Sequence, residues 1–506
     1  MNKIILRNSS IVITDYSLGD APRLESYFTI FDRITFTKSY KGMSYDEANR
    51  LLYLPRGLDL YFVKKFFEGE EPVKEYNSDP YFETPPIKIK YLPRDEVQQE
   101  ALHFILGKGQ YYSNQNNSQL SINLPTGKGK TYVTIASLMY WKARTIVIAS
   151  TTGWLDQWRN CVGEYTDLDP IREVLVINGS VGIHKILNGI TDVSKYKVFL
   201  VTHSTLQNFG TNNGWNMIGE LFKKLQVFLK VYDEAHLNFD NICMIDFYTN
   251  TKKTLYLTAT PGRSDETENF IYRLYFKNIP SINLFDEDND PHTSYLALRF
   301  NSRPSPQDIS ECSNNVYGLN RNAYTNYIVC NNQFYDMMYI GTISAIDIVK
   351  AWIEDNYPEF KDDIGVYTSA IPKEIKQDQL RKTIILSTTK SAGAALDIRD
   401  LKATIILAEP FKSEILAKQT LGRTRNPNTE CIEVVDDGFR SISRFYNAKK
   451  PIFSKYATEC REIKISLNTL QEKADDLFKI RESVKKQYDA GYSVIDYSKD
   501  GYKDGD

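Results

Sequence analysis

Two short segments carry side chains able to handle a nucleoside triphosphate. Residues 124–131 read LPTGKGKT, between the apolar run SINL and the helical pattern TYVTIASLMYW. A glycine-rich loop in that setting turns backbone N–H groups inward around phosphate oxygens, and the helix behind it adds the positive end of its dipole. Pro125, Thr126, Gly127, Lys128 and Gly129 would form the cradle, Lys130 would reach the β and γ phosphates, and the Thr131 hydroxyl would ligate Mg2+. The general pattern opens on glycine where this chain has Leu124. A glycine-rich turn without a ligand is the alternative, and the order strand, loop, helix argues against it.

Further along, residues 231–236 read VYDEAH at the end of another apolar run. Asp233 is placed to hold Mg2+ through water, Glu234 to orient or deprotonate the attacking water, and His236 to link that site to the next strand's end. Such a string can also be a solvated loop or half a metal site. Its position after a phosphate loop favours a Mg-ATP site, because one parallel sheet can bring both strand ends to one edge. ATP and Mg2+ are the cofactors expected.

The elements that must position these residues read as strands alternating with helices. From about 92 to 261 the runs SINL, TIVIAS, VFLVTH, LKVYDEAH and KTLYLTAT are separated by amphipathic helical patterns, which implies a parallel sheet covered on both faces. A second series, DMMYIGT, DIGVYTS, KTIILSTT, ATIILAE and CIEVVDD, runs to about 437. Residues 1–88 alternate short β-rich runs with a helical pattern near Leu58–Phe67 and end in a proline-rich stretch, as a small α+β domain followed by a linker would.

The phosphate loop, the DEAH string, Thr258-Ala-Thr260 and Gln419-x-x-Gly-Arg423 occur in the order and spacing of superfamily 2 helicases, which this chain resembles from about 90 to 437. The resemblance implies an α/β protein with two tandem RecA-like (P-loop NTPase) domains. Residues 1–88 would be the N-terminal domain, 89–285 the first RecA-like domain, 286–325 a polar connector, 326–455 the second RecA-like domain, and 456–506 a helical extension with an acidic tail. It further implies that Gln98 reads adenine with Arg94 beside it, and that Asp397 contacts nucleotide. Nucleic-acid backbone contacts would come from Ser150, Thr151 and Gln157, from Thr202, His203, Ser204 and Thr205, from Thr258 and Thr260, and from Thr388 and Thr389. Short hydroxyls suit that role, donating one hydrogen bond to phosphate without reading a base. Gln419 and Arg423 match the arginine-finger motif. The family's second arginine stands where this chain has Asn426, with Arg425 one earlier, and Ala395 replaces a customary glycine.

A narrower resemblance, to the UvsW-type phage recombination helicases, rests on 23–31, on LPRGL at 54–58 and on VKKFF at 63–67. It implies a basic N-terminal face in which Arg56, Lys64 and Lys65 touch phosphates. A solvated basic helix face is the plain alternative. Arg263, in the run TPGRSD at 260–265, resembles a motif of DNA-duplex translocases. The partner implied is DNA (duplex, forked or a four-way junction), with RNA–DNA hybrids and replication or recombination proteins further candidates, acted on by a monomer. The function expected is ATP-driven branch migration or fork remodelling. An RNA helicase, the motor subunit of a restriction system and an inactive nucleic-acid-binding module are the rivals.

Composition sets limits on this reading. A net charge of −2 supplies no global attraction to nucleic acid, so phosphate contacts must be local. Six cysteines without a C-x-x-C pair argue for reduced thiols and no zinc site. The sequence has no run of the ~20 apolar residues that a membrane span requires, and no signal-peptide core, so a cytoplasmic protein is expected, in a bacterial host if phage-encoded. The many tyrosines and phenylalanines can stack bases, but for any one of them packing is the plain reading.

Overall fold

The computed structural model describes residues 3–32, 37–67, 74–124, 129–258, 266–284, 293–301, 303, 305–306, 336–340, 343–356, 358–368, 370–388, 403–407, 417, 420–421, 429–464 and 466. The chain divides into two compact units, Met1–Glu287 and Asp288–Asp506.

The first unit opens with β1 (Ile4–Leu6), β2 (Ser10–Ile13), α1 (Pro22–Ser26), β3 (Thr29–Asp32), β4 (Thr37–Tyr40), β5 (Ser44–Asp46), β6 (Leu51–Pro55), α2 (Leu60–Lys64) and β7 (Lys74–Glu75). Five of these strands make a sheet in the order β5-β6-β2-β1-β7, and β3 pairs with β4. This sheet shares its core with later elements of the same unit. Ile11, Leu52 and Leu54 belong to one buried cluster with Ile242, Phe247 and Tyr275. Gly57 shows how close the approach is: a Cβ there would lie 2.0 Å from the Tyr275 carbonyl oxygen, so no other residue fits without movement.

Next come α3 (Glu96–Leu106), β8 (Gln119–Asn123), α4 (Lys130–Trp141), β9 (Thr145–Ala149), α5 (Thr152–Tyr165), β10 (Val174–Ile177), α6 (Gly179–Leu187), β11 (Val198–Thr202), α7 (His203–Asn213), α8 (Asn216–Leu225), β12 (Leu229–Tyr232), α9 (Phe239–Tyr248), β13 (Lys253–Thr258), α10 (Glu266–Phe276) and β14 (Ser281–Asn283). The sheet order is β10-β11-β9-β12-β13-β8-β14, and every pairing is parallel. Strands β8, β9, β11, β12 and β13 are buried along their whole length, as apolar runs covered by helices on both faces must be. These five are the strands legible in the sequence, whereas the short edge strands β10 and β14 are not.

The second unit holds β15 (Thr293–Phe300), β16 (Asp336–Ile340), β17 (Ile364–Tyr367), β18 (Ile384–Ser387), β19 (Ala403–Leu407), β20 (Thr429–Asp436) and β21 (Cys460–Lys464) in the order β17-β18-β16-β19-β20-β15-β21, again parallel throughout. Two expectations change here. The polar stretch 286–325 contains β15, an eight-residue strand paired on both sides, whose buried residues Tyr295, Leu296, Ala297, Leu298 and Phe300 are hidden in sequence by charged and proline-rich flanks. The expected helical extension begins with the edge strand β21, and the remainder of that extension, beyond 466, lies outside the described residues. The helix Arg440–Tyr456 stops before it, and Glu462 on β21 is gripped by Arg299 at 2.7 Å, Lys450 at 2.6 Å and the Tyr446 hydroxyl at 2.6 Å. The acidic tail beyond 466 lies outside the described residues.

Candidate nucleotide site

Parallel registry carries the candidate residues to one edge of the first unit's sheet. Thr202 on β11 pairs with Ala149 on β9, Ile148 on β9 with Tyr232 on β12, Tyr232 with Tyr256 on β13, and Thr258 on β13 with Asn123 on β8. The chain leaves each of these strands at that same edge, where Leu124, Ser150, Asp233 and His203 begin loops or helices.

Gly129 precedes α4 at a φ of 88°, left-handed backbone that glycine adopts without strain, and a Cβ there would meet Gln98 Nε2 at 2.4 Å. Gln98, buried in the first turn of α3, therefore packs on the end of the phosphate loop, its backbone N–H capped by Asp95 and its Oε1 accepting from the Arg94 backbone N–H at 2.9 Å. The Arg94 guanidinium itself is exposed and pairs with Asp95 at 3.2 Å. Lys130 and Thr131 start α4. Pro125, Thr126, Gly127 and Lys128 lie outside the described residues.

Lys130 Nζ donates to the Leu124 carbonyl at 3.3 Å and pairs with Glu234 Oε1 at 3.2 Å. Glu234 has a φ of 50°, unusual for a side chain with a Cβ, and its neighbour is pinned by Ala235 N–H to Leu257 O at 2.8 Å. His236 Nδ1 stands 3.3 Å from Glu234 Oε2 and 2.9 Å from Thr258 Oγ1, so these three side chains run from the end of β12 to the end of β13. Burial, reinforced by the neighbouring Glu234 charge, raises the Asp233 carboxyl above its usual range. Burial acts on Glu234 in the same direction, but the Lys130 ammonium and His236 outweigh it and hold that carboxyl well below its usual range. Glu234 therefore favours its ionised form more strongly than Asp233 does. Oxygen donors from Thr131 and Asp233 fit a small hard ion such as Mg2+.

The expected backbone contacts are placed unevenly. Gln157 and Thr151 are exposed, and Ser150 Oγ accepts from Asn238 Nδ2 at 2.8 Å. Thr202 caps α7, its Oγ1 bonding the Thr205 backbone N–H at 3.2 Å and the Ser204 and Thr205 hydroxyls at 3.0 and 2.9 Å. His203 is corrected by the structure: it is 2% exposed, its Nδ1 meets Asn241 Nδ2 at 3.0 Å, and its ring stacks on Tyr232, so it has no surface to offer a strand. Burial lowers its pKa to about 3, which keeps it neutral. Thr258 is likewise buried against His236. Thr388 is buried in the second unit just past β18, and Lys64 and Lys65 are exposed on α2. Arg56 is half-buried in a polar cleft beside that N-terminal sheet. Thr260, Arg263, Thr389, Asp397, Gln419, Arg423 and Arg425 lie outside the described residues.

Two features are not evident from the sequence. Trp158, one residue beyond Gln157, turns inward and donates its indole N–H to Asp233 Oδ2 at 2.7 Å. Behind the site, Asp246 on α9 is fully buried and accepts from Tyr232 at 2.8 Å, from Tyr256 at 2.5 Å and from Tyr275, while pairing with Lys230 at 2.5 Å. Burial, and then the Asp246 charge, raises all three phenols well above their usual range. The one sequence signal for this hub is a lysine and an aspartate amid otherwise apolar elements.

A parallel sheet with a phosphate loop after one strand and paired acids after another defines a P-loop NTPase with RecA-like architecture. Residues 92–263 match the family described as type III restriction enzyme, res subunit. In this the chain is similar to the superfamily 2 helicases. The DNA 3'-5' translocase XPB2 of Sulfurisphaera tokodaii is 29% identical over 245 residues, 47% of each chain, so this chain spans about half the length of that curated relative. The structure of S. cerevisiae Dbp5 bound to RNA and ADP BeF3 covers 77% of this chain and 93% of its own, at 13% identity and a TM-score of 0.53, which speaks to fold alone. T4 UvsW overlays 92% of this chain and 100% of its own at 14% identity, with a TM-score of 0.34. Among the described residues no helix is long and apolar enough to cross a membrane.

Proposed function

We propose that this chain hydrolyses ATP to drive itself along duplex or branched DNA, as a translocase of branch-migrating type. The observation that carries the reading is the convergence of Lys130, Asp233, Glu234, His236 and Thr258 on one sheet edge, with Lys130 and Glu234 3.2 Å apart. Lys130 binds the γ phosphate, Gln98 and Arg94 hold the base, and the ionised Glu234 orients the water and takes its proton as the bond to the departing ADP breaks. Mg2+ held by Thr131 and Asp233 would neutralise phosphate charge. Arg423, with Arg425 and Gln419, is assigned the stabilisation of transition-state charge, and Asp397 a nucleotide contact. The His236–Thr258 bond passes the state of the site to the end of β13, ahead of Thr260 and Arg263. Hydroxyls at Ser150, Thr151, Thr205 and Thr389 hold backbone phosphate.

DNA is favoured over RNA because the matched family is a restriction-enzyme subunit and the curated relative is described as a DNA translocase. The family description also favours a second reading, in which this chain is the motor of a restriction-type complex. Displacement of a third strand from duplex DNA, and migration of a four-way junction, test the first reading. ATP-dependent displacement by the chain alone supports it. Failure on both, with unwinding of an RNA duplex, transfers the chain to the RNA helicases, and activity gained only with a partner subunit supports the restriction motor.

A further inference from the structure

Apart from the Lys130 site, the first unit has the polar cleft that holds Arg56, of about 290 Å³, close to the lower end of the range for small-molecule sites (~300–1,000 Å³). It lies where β8, β13 and β14 begin, so at the opposite ends of the strands from the Lys130 site. Its walls come from the end of β1, the turn after β6, the segment after β7, and the residues leading into those three strands.

The frame is fixed by backbone. Asn8 N–H donates to Asn250 Oδ1 at 2.9 Å, Ser118 Oγ to the Asn8 carbonyl at 2.7 Å, Asn278 N–H to the Gly57 carbonyl at 3.1 Å, and Tyr76 N–H to the Leu6 carbonyl at 2.9 Å. Arg7, Arg56 and Lys252 face the cleft against one carboxylate, Glu75, so cations exceed anions three to one. Among the described residues, Arg56 Nε and Asn8 Nδ2 are buried donors without a hydrogen-bond partner. A buried donor left unpaired costs about 1–3 kcal/mol, so a cleft with two of them, under excess positive charge, is matched by a ligand that brings acceptors and negative charge. The lining offers little to a base: Tyr76 is its one aromatic, and Lys74 Nζ already sits 5.5 Å from that ring's centroid.

We infer that this cleft binds a phosphate oxyanion, held by Arg56, Lys252 and Asn8 with Arg7 behind them. The phosphate belongs either to a nucleic-acid backbone or to a free phosphate compound. The inference does not depend on ATP turnover.

The test uses the full chain with Lys130→Ala in every sample, so that the ATP loop contributes little, and compares Arg56→Gln and Lys252→Gln with that parent. Inorganic pyrophosphate is titrated by calorimetry, and a short duplex DNA by fluorescence anisotropy over a salt series. A backbone phosphate predicts that each substitution weakens duplex binding about 3–10-fold and lowers the salt slope by about one. A free phosphate predicts lost pyrophosphate binding with duplex affinity unchanged. If neither ligand responds to either substitution, the inference is overturned. Lys252 is exposed, so its variant decides the matter should Arg56→Gln fail to fold.

Discussion

Lys130 Nζ sits 3.2 Å from Glu234 Oε1, so the lysine of the phosphate loop and the carboxylate assigned to the water are partners across two strands. A γ phosphate that takes the lysine must loosen this pair, which couples arrival of the substrate to release of the base. Glu234→Gln keeps the shape but cannot accept the proton. It should bind Mg-ATP with near parental affinity and lose at least about 100-fold in kcat, the scale of losing a general base. Near-normal hydrolysis would assign the water to another residue.

Trp158 gives Asp233 a defined orientation through a 2.7 Å hydrogen bond inside the protein. Trp158→Phe retains an aromatic ring and removes that donor. A hydrogen bond to a charged group is worth roughly 1.5–3 kcal/mol, so turnover should fall about tenfold or more and require more Mg2+. A Mg2+ dependence that does not move would show that the tryptophan only packs.

Asp246→Asn tests the hub behind the site. It leaves the fully buried Lys230 without its counter-charge, an arrangement that costs roughly 3–5 kcal/mol, so urea unfolding of the first unit should shift to markedly lower concentration. Adding Lys230→Met should recover much of the loss. Equal instability of the single and double variants would argue against the ion pair as the cause.

Glu462 sets a pH signature in the second unit. Hydrogen bonds from Lys450, from Tyr446 and from Arg299 hold its carboxyl down to about 2. Because the folded pKa lies below the unfolded value of about 4.3, this group's contribution is complete above that pH and is lost as the pH falls toward 2. The contribution is modest at a position this exposed. Glu462→Gln should therefore lower the melting temperature at neutral pH, with the gap to the parent narrowing on acidification through that window. A gap that stays constant from neutral pH to about 2 would contradict the assignment.

The candidate nucleotide site is legible because the residues it gathers are local in sequence. Lys130 and Thr131 follow one strand, Asp233 and Glu234 another, and a parallel sheet has to bring such ends to one edge. Strand β15 was obscured because its apolar run, Tyr295 to Phe300, is short and lies among acidic and proline-rich flanks, while its two partner strands are more than a hundred residues away in sequence. Separation along the chain also concealed the partners of Trp158 and of Lys230. Tyr232, Tyr256 and Tyr275 read as packing, and they do pack, but their hydroxyls converge on Asp246 by virtue of the fold. His203 stands in a string of hydroxyl residues and reads as one of them, whereas its larger ring fills the space against Tyr232.

Whether this chain is a DNA-driven motor is decided by steady-state ATP hydrolysis of the whole chain at low salt, alone and with single-stranded DNA, duplex DNA, a four-way junction or RNA, with Lys130→Ala as the blank. Hydrolysis should need Lys130 and be stimulated most by duplex or junction DNA. No hydrolysis under any of these conditions, or stimulation by RNA alone, would contradict a DNA-driven motor.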